Sequence, residues 1–379
     1  MMKNNLSGEN PFRKDSNIKV ALVTESLWEM AGSNRVLDIF AQIYPQADIF
    51  ALFGNKENLS PNLKERDLRF TFLNGIPFIK KIYRYTFFLW PIAIENIDLS
   101  DYDLIISVSS SVAHGVITPM GSKHVVYLNT PMRYAWDLTS LYKEVVSFGF
   151  FKRVVRDFFL TVNRAWDVVA ARRADVIIAN SKFVSKRVRK YWDREVDAVI
   201  YPPSERFSGE IKKEREDYFV AGAPFEPNKR GGFLLECAKE LGFNLKIMGG
   251  GSMKKKLKRK YGKYPNIEFL DWISEEEKWE LLSNAKGFLV GGIEDYGIFS
   301  CEAISCGTPI LAYKGGGSVE IIKESRSGLF FNSWVVSEFE RAMKKFNETE
   351  WKYEDIAKSL ENANTQDSFK KEIISLLVE

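Results

Sequence analysis

The chain has 379 residues, 45% hydrophobic and 27% charged, with a formal net charge of only +4. That length exceeds what one hydrophobic core usually serves, so two domains are expected, and the composition is that of a soluble globular protein. The small positive surplus excludes nucleic acid as the general partner, and three cysteines, Cys237, Cys301 and Cys306, with no CxxC spacing argue against a disulfide framework or a zinc site and fit a reducing compartment.

The first residues, MMKNNLSGENPFRKDSN, are polar and read as a loose tail without the apolar core of a signal peptide. Short apolar runs then recur: KVALVT (19–24), DLIISV (103–108), HVVYLN (124–129), DVIIAN (175–180) and DAVIYP (197–202). Runs without period-two alternation suit strands buried on both faces, which means a parallel sheet covered by helices. The stretch FFLWPIAI (87–94) is too short to span a membrane and carries Pro91. FKRVVRDFFLTVNRAWDVVAARRAD (151–175) is basic and amphipathic and reads as a helix packing its apolar stripe on the sheet, while leaving open a peripheral membrane contact.

After Pro202 and Pro203 the polar text SERFSGEIKKEREDY marks a linker. The series restarts with YFVAGA (218–223), NLKIMG (244–249), NIEFLD (266–271), KGFLVG (286–291), PILAYK (309–314) and GLFF (328–331). Two Rossmann-like doubly wound α/β domains are therefore expected, with boundaries at 1–203 and 204–355 and a C-terminal helix, 356–379, packing back on the first. Ligands of such sheets bind beyond the carboxyl ends of the strands, so two facing domains place a cleft there.

The most informative segment is GGIEDYGIFSCEAISCGTPILAYKGGGSVEII (291–322). Glu294 follows a predicted strand, Gly297 permits a tight turn, and Ile298 to Cys306 reads as a short helix stopped by Gly307. Unpaired amides and a positive dipole at that helix start suit a diphosphate. Glu302, one turn in, can accept from two adjacent ribose hydroxyls, and Glu294 from sugar hydroxyls. Gly315 to Gly317 make a second turn, with Ser318 as the N-cap of the next helix, again able to face a ligand.

This E-x7-E pattern, with its G-T-P-I strand and following glycines, resembles the large GT-B family of retaining sugar-nucleotide transferases called family 4. YLNTPMRYAWDL (127–138) is similar to the HTPMRYAWD signature of its mannosyltransferase-like branch, which builds O-antigen and related polysaccharides. ARRADVIIANSKFVSKRVRKYW (171–192) resembles the stretch that closes the family's first domain.

The resemblance implies a metal-independent, retaining hexosyltransferase without a resident cofactor. It would work in the cytoplasm or at the inner face of the membrane, taking a GDP-mannose or UDP-sugar donor and a glycan or lipid-linked glycan acceptor. It gives Glu302 to the donor ribose, Glu294 to the transferred sugar, the amides around Tyr296, Gly297 and Ile298 to sugar and phosphate, and Lys229 to the diphosphate. Gly32 matches a glycine that lets the backbone approach the donor. Gly222 lies at the end of the strand before the phosphate loop, and Gly249, Gly250 and Trp272 would border the nucleotide.

Two positions depart from the pattern. Ala223 stands where the family has an arginine, leaving Arg230 or another basic residue to replace it, and Asn129 stands where the branch has a histidine, so it can donate a hydrogen bond but carries no positive charge. Arg133, Tyr134 and Asp137 are the acceptor-side candidates, with His114 beside them.

Other classes fit less well. A retaining glycosidase needs carboxylates roughly 5 Å apart, which a mostly helical eight-residue path does not give. A nicotinamide dehydrogenase needs GxGxxG after the first strand, which ESLWEMAGSNRV lacks. A low-turnover sugar-nucleotide-binding scaffold, or a sugar-nucleotide epimerase of the same fold, are the alternatives.

Overall fold

Apolar runs that do not alternate bury both faces, and here they assemble into two all-parallel sheets. The computed structural model describes residues 18–378 apart from 31, 142–149, 223–224, 272 and 361–364. The first sheet contains β1 (Val20–Leu27), β2 (Asp48–Gly54), β3 (Leu68–Phe70), β4 (Leu104–Ser109), β5 (Lys123–Leu128), β6 (Val176–Ala179) and β7 (Ala198–Val199). The second contains β8 (Glu216–Gly222), β9 (Leu245–Met248), β10 (Ile267–Phe269), β11 (Ala285–Val290), β12 (Ile310–Tyr313) and β13 (Gly328–Phe331).

Their orders are β3-β2-β1-β4-β5-β6-β7 and β10-β9-β8-β11-β12-β13. Each sheet reverses winding once, between β1 and β4 and between β8 and β11, and crevices open at such points beyond the carboxyl ends. Strands β2 and β3 were not among the expected runs. β2 carries the same unbroken apolar text, DIFALFG, whereas β3 is a three-residue edge strand too short to show a pattern.

One core of the first domain packs Leu22, Phe40 and Tyr127 with Phe369, Ile373 and Leu377 of the C-terminal helix Gln366–Val378. Phe369 sits edge-on to Tyr127 at 5.5 Å and to Phe40 at 6.0 Å. The chain crosses between domains later than residue 355, because Ile356 and Leu360 still belong to a core of the second. The helix Phe150–Ala171 buries Leu160, Asn163, Asp167, Ala170 and Ala171 against the first domain. Among the described residues no helix is long and apolar enough to cross a membrane.

Candidate active site

The loop after β11 is built by backbone contact that only glycine tolerates. A Cβ at Gly292 would lie 2.1 Å from the Asn228 carbonyl oxygen and 2.5 Å from Lys229 Cα, so the loops after β8 and β11 touch main chain to main chain. That closeness brings the Lys229 ammonium onto the Glu294 carboxylate, with both side chains mostly covered.

Gly297 then takes φ +118° and starts the helix Ile298–Ser305, which ends at Cys306 and Gly307 (φ +74°). The first amides of this helix have no intrahelical acceptor. The turn at Gly315 to Gly317 is not the open loop its glycines suggest. Cβ atoms at Gly316 and Gly317 would lie 2.3 Å from the Glu294 carbonyl and 2.5 Å from that of Tyr296, so the turn is a backrest for the Glu294 loop. Ser318 is not the cap either: Gly317 holds that position, and Ser318 is fully buried as the first residue of the helix Ser318–Ile321.

Glu302 is buried, and both carboxylate oxygens are engaged. Arg35, from the first turn of the first domain's helix Ser33–Ile43, lies 3.3 Å from Oε1, and Lys278 lies 3.1 Å from Oε2. Lys278 is itself buried and anchored by Glu275 at 2.5 Å, while Arg35 also reaches Glu275 and Glu205. Burial pushes the Glu302 carboxyl above its ordinary value, and the Lys278 and Arg35 charges oppose that only in part.

Around this pair the remaining donor-side candidates divide. Gly32 has φ +51° with open space where a Cβ would be, and Gly250 is likewise open. Gly249 (φ +123°) begins a turn in which Gly251 presses on the backbone of Phe225. Gly222 is explained by packing, since a Cβ there would strike the Phe299 ring at 2.3 Å. Arg230 does not reach into the Lys229–Glu294 pair; its guanidinium lies 4.4 Å over Trp334, whose indole N–H donates to the Gly291 carbonyl. Tyr296 is buried, with its ring stacked on Tyr201 at 5.2 Å, and Ile298 is half-buried. Trp272 and Ala223 lie outside the described residues.

The acceptor-side candidates need correction. Arg133 and Asp137 are not a free polar cluster: Arg133 pairs with Asp295 at 2.9 Å, and Asp137 pairs with Arg187 at 2.5 Å. Arg187 also reaches Asp295 at 2.9 Å and the Thr130 hydroxyl, and Ser181 Oγ donates to the Asp295 carbonyl at 2.6 Å. These residues tie the domains together around the Glu294 loop. Tyr134 is a member of the aromatic core, 6.1 Å from Trp90, with its hydroxyl 3.1 Å from Ser111 Oγ.

His114 is buried rather than at the cleft. Its Nε2 lies 3.2 Å from Asp167 Oδ1, its Nδ1 3.2 Å from Ser109 Oγ, and its ring stacks near Trp192 at 4.7 Å. Trp136 and Trp192 both donate to Asp167 Oδ2, while His114 Nε2 and Asp167 Oδ1 face each other in the core without a hydrogen bond. Asn129 follows β5, and its buried Nδ2 has no hydrogen-bond partner among the described residues.

Several important residues carried no sequence signal that singled them out: Arg35, Lys278, Arg187, Asp295 and Glu25. Asp295 and Arg187 lie inside quoted segments, but their importance comes from meeting across the cleft. Glu25 ends in a carboxylate that accepts from the amides of Ser110, Ser111, Val112 and Ala113 at 3.0, 2.8, 2.9 and 3.0 Å, fixing the loop after β4.

Residues 203–366 match the family model described as Glycosyl transferases group 1. Two solved structures cover nearly the whole chain. The HepE protein of Anabaena in complex with UDP and glucose is 15% identical with a TM-score of 0.63, covering 95% of this chain and 99% of that one. The sucrose-phosphate synthase of Thermosynechococcus elongatus is 14% identical with a TM-score of 0.65, covering 94% and 98%. The chain has the GT-B fold. A curated relative, an uncharacterized glycosyltransferase of Methanocaldococcus jannaschii, MJ1178, is 28% identical over 166 residues. That match spans 42% of this chain and just under half, 46%, of the relative.

Proposed function

We propose that this GT-B protein transfers a hexose, mannose in preference, with retention from a nucleotide diphosphate sugar to a glycan or lipid-linked glycan. The observation that carries the reading is the Gly297 helix start, with Glu294 on one side paired to Lys229 and Glu302 on the other held by Lys278 and Arg35. The match of residues 203–366 to the glycosyl transferase family and the UDP bound by the HepE neighbour support a nucleotide-sugar donor. The preference for GDP-mannose rests on the resemblance of YLNTPMRYAWDL to the mannosyltransferase branch.

In this reading the diphosphate lies against the amides at Gly297 and Ile298, and Lys229 passes from Glu294 to the phosphate oxygens. Glu294, released, accepts from hydroxyls of the transferred sugar. Ribose hydroxyls take the place of Arg35 on Glu302; Lys278, buried and anchored, keeps its place. The acceptor oxygen forms its bond to the anomeric carbon on the face from which the carbon–phosphate oxygen bond breaks, and the acceptor proton passes to that departing oxygen. The products are the glycoside and the nucleoside diphosphate. Fixed positive groups meet the departing charge, so the reading calls for no metal ion.

The test is nucleotide release from a panel of GDP- and UDP-sugars, with and without glycan-lipid acceptors, and NMR of the product's anomeric proton for stereochemistry. One donor is expected to release nucleotide only when acceptor is present. Failure to bind any nucleotide would overturn the reading, and an inverted product would overturn its stereochemical part.

A further inference from the structure

Among the described residues, most of the large apolar side chains left exposed lie on residues 68–94 and the helix Phe150–Ala171 of the first domain. Residues 68–94 contain Arg69, Lys80, Lys81 and Arg84 and no acidic residue. Four short turns in this stretch, Phe72–Gly75, Ile79–Ile82, Tyr83–Tyr85 and Phe87–Leu89, pack each on the next. They leave Phe72, Phe78, Tyr85 and Phe88 facing solvent. The last turn lies on the helix Phe150–Ala171, where Phe88 meets the Phe159 ring at 5.0 Å, and Phe159 meets Phe158 at 5.6 Å.

That helix has two apolar stripes. One is the buried stripe through Leu160 and Ala171. The other runs through Val155, Phe158, Val162 and Val169, at helical spacing, and is exposed. The basic residue Arg153 flanks its first turn, whereas Arg156 is covered and paired with Asp157 at 3.0 Å.

Phe78 is the sharpest feature. It is 76% exposed, and its backbone is left-handed at φ +58°, a conformation unfavourable for a bulky residue. A large aromatic ring held in water on a strained turn is doubly unfavourable for the isolated protein. Lys81 lies 5.9 Å over that ring and Lys80 5.5 Å over Trp28, so two ammonium groups accompany it.

We infer that this face docks on an anionic lipid bilayer, with Phe78 and Phe158 entering the headgroup boundary and Lys80 and Lys81 meeting lipid phosphates. Charge complementarity selects the occupant: Arg69 is held by Asp48 and Asp67 and Arg84 by Glu226, but Lys80 and Lys81 stand among the apolar rings with no carboxylate on 68–94, which matches a negatively charged interface. Next to the two lysines, Arg84 reaches across to Glu226 of the second domain at 2.7 Å, so the docked face adjoins the cleft. The assignment of a lipid-linked glycan as acceptor rests on the proposed transferase reading; the docking itself does not.

The decisive variant is Phe78→Asn. Asparagine tolerates the left-handed backbone, so this protein should melt no lower than wild type while losing vesicle affinity. Full-length protein is sedimented with vesicles of phosphatidylcholine, alone or mixed with phosphatidylglycerol. Binding is expected only to the mixed vesicles, and Lys80→Gln with Lys81→Gln should weaken it about thirtyfold, with Phe158→Ser also weakening it.

No sedimentation with mixed vesicles, or sedimentation indifferent to these changes, would overturn the inference. A concentration-dependent dimer in lipid-free buffer that Phe78→Asn dissolves would also overturn it, by making the face a contact between copies. Nucleoside diphosphate binding, measured on the same samples, should be unchanged in every variant; its absence in wild type would count against the transferase reading and leave the docking result standing.

Discussion

The two domains share a winding pattern but hold their cleft-facing loops by different means. In the second domain the loops after β8, β9, β11 and β12 are pressed main chain to main chain at Gly251, Gly292, Gly316 and Gly317. In the first, loops are held by buried charge: the Glu25 carboxylate collects the amides of residues 110–113, and Arg187 joins Thr130, Asp137 and Asp295. Steric closure fixes the backbone that would face a diphosphate, whereas the facing half rests on a few charged side chains.

The comparison is tested most severely at Glu294. Glu294→Ala leaves Lys229 without its partner but keeps the Gly297 turn, so nucleotide binding should persist while transfer falls about a thousandfold, read as kcat in the nucleotide-release assay. Equal loss of binding and transfer would mean that the carboxylate organises the loop and does not address the sugar.

Next comes the steric seam. Gly292→Ala places a methyl 2.1 Å from the Asn228 oxygen, so the two loops must separate and Lys229 is drawn from Glu294. A displacement of about 1 Å is worth on the order of a hundredfold in rate. Alanine at Gly250, where space is open, should be nearly silent. Similar kinetics for the two variants would remove the claim that backbone contact builds the donor side.

The charge clamp makes the opposite prediction. Glu25→Gln puts an amide where four backbone N–H groups need an acceptor, and should cost roughly 2–3 kcal/mol of stability, measured by denaturant unfolding. Nucleotide affinity, which the proposed reading places chiefly on the second domain, should be unaffected.

That contrast explains what the sequence discloses. Glycine spacing in residues 291–317 reads directly because a missing Cβ is written at each position, and the doubly wound sheets read from unalternating apolar runs. The charge clamps do not read, because Arg187 and Asp295 are 108 residues apart and nothing local links them. His114 after a strand and Tyr134 in the MRYAWD segment read as polar groups for the cleft, but His114 is buried against Trp192 and Tyr134 packs on the aromatic core beside Trp90. Gly222 and the Gly315 to Gly317 turn read as ligand-contact glycines, and their packing against Phe299 and the Glu294 loop is a second demand that spacing does not reveal.

The smallest effect is expected where the halves meet. Arg35 reaches Glu302 from the first domain, and in the proposed reading ribose hydroxyls bind that carboxylate in its ionised form. Burial raises the Glu302 carboxyl, so the folded chain holds a proton there at pH values where the unfolded chain has lost it. Its contribution to stability therefore falls as pH rises from the ordinary carboxylate value through the raised one, while nucleotide affinity rises over the same interval. Arg35→Gln removes a charge that opposes the shift, moving the carboxyl higher still, and the titration of nucleotide binding should move to higher pH. At neutral pH two consequences offset: the ionised carboxylate is slightly less favoured, but the ribose no longer displaces a guanidinium. Affinity there should change by only a few fold, whereas the midpoint of the pH profile should shift upward, and an unmoved midpoint would show that Lys278 alone sets the charge of Glu302.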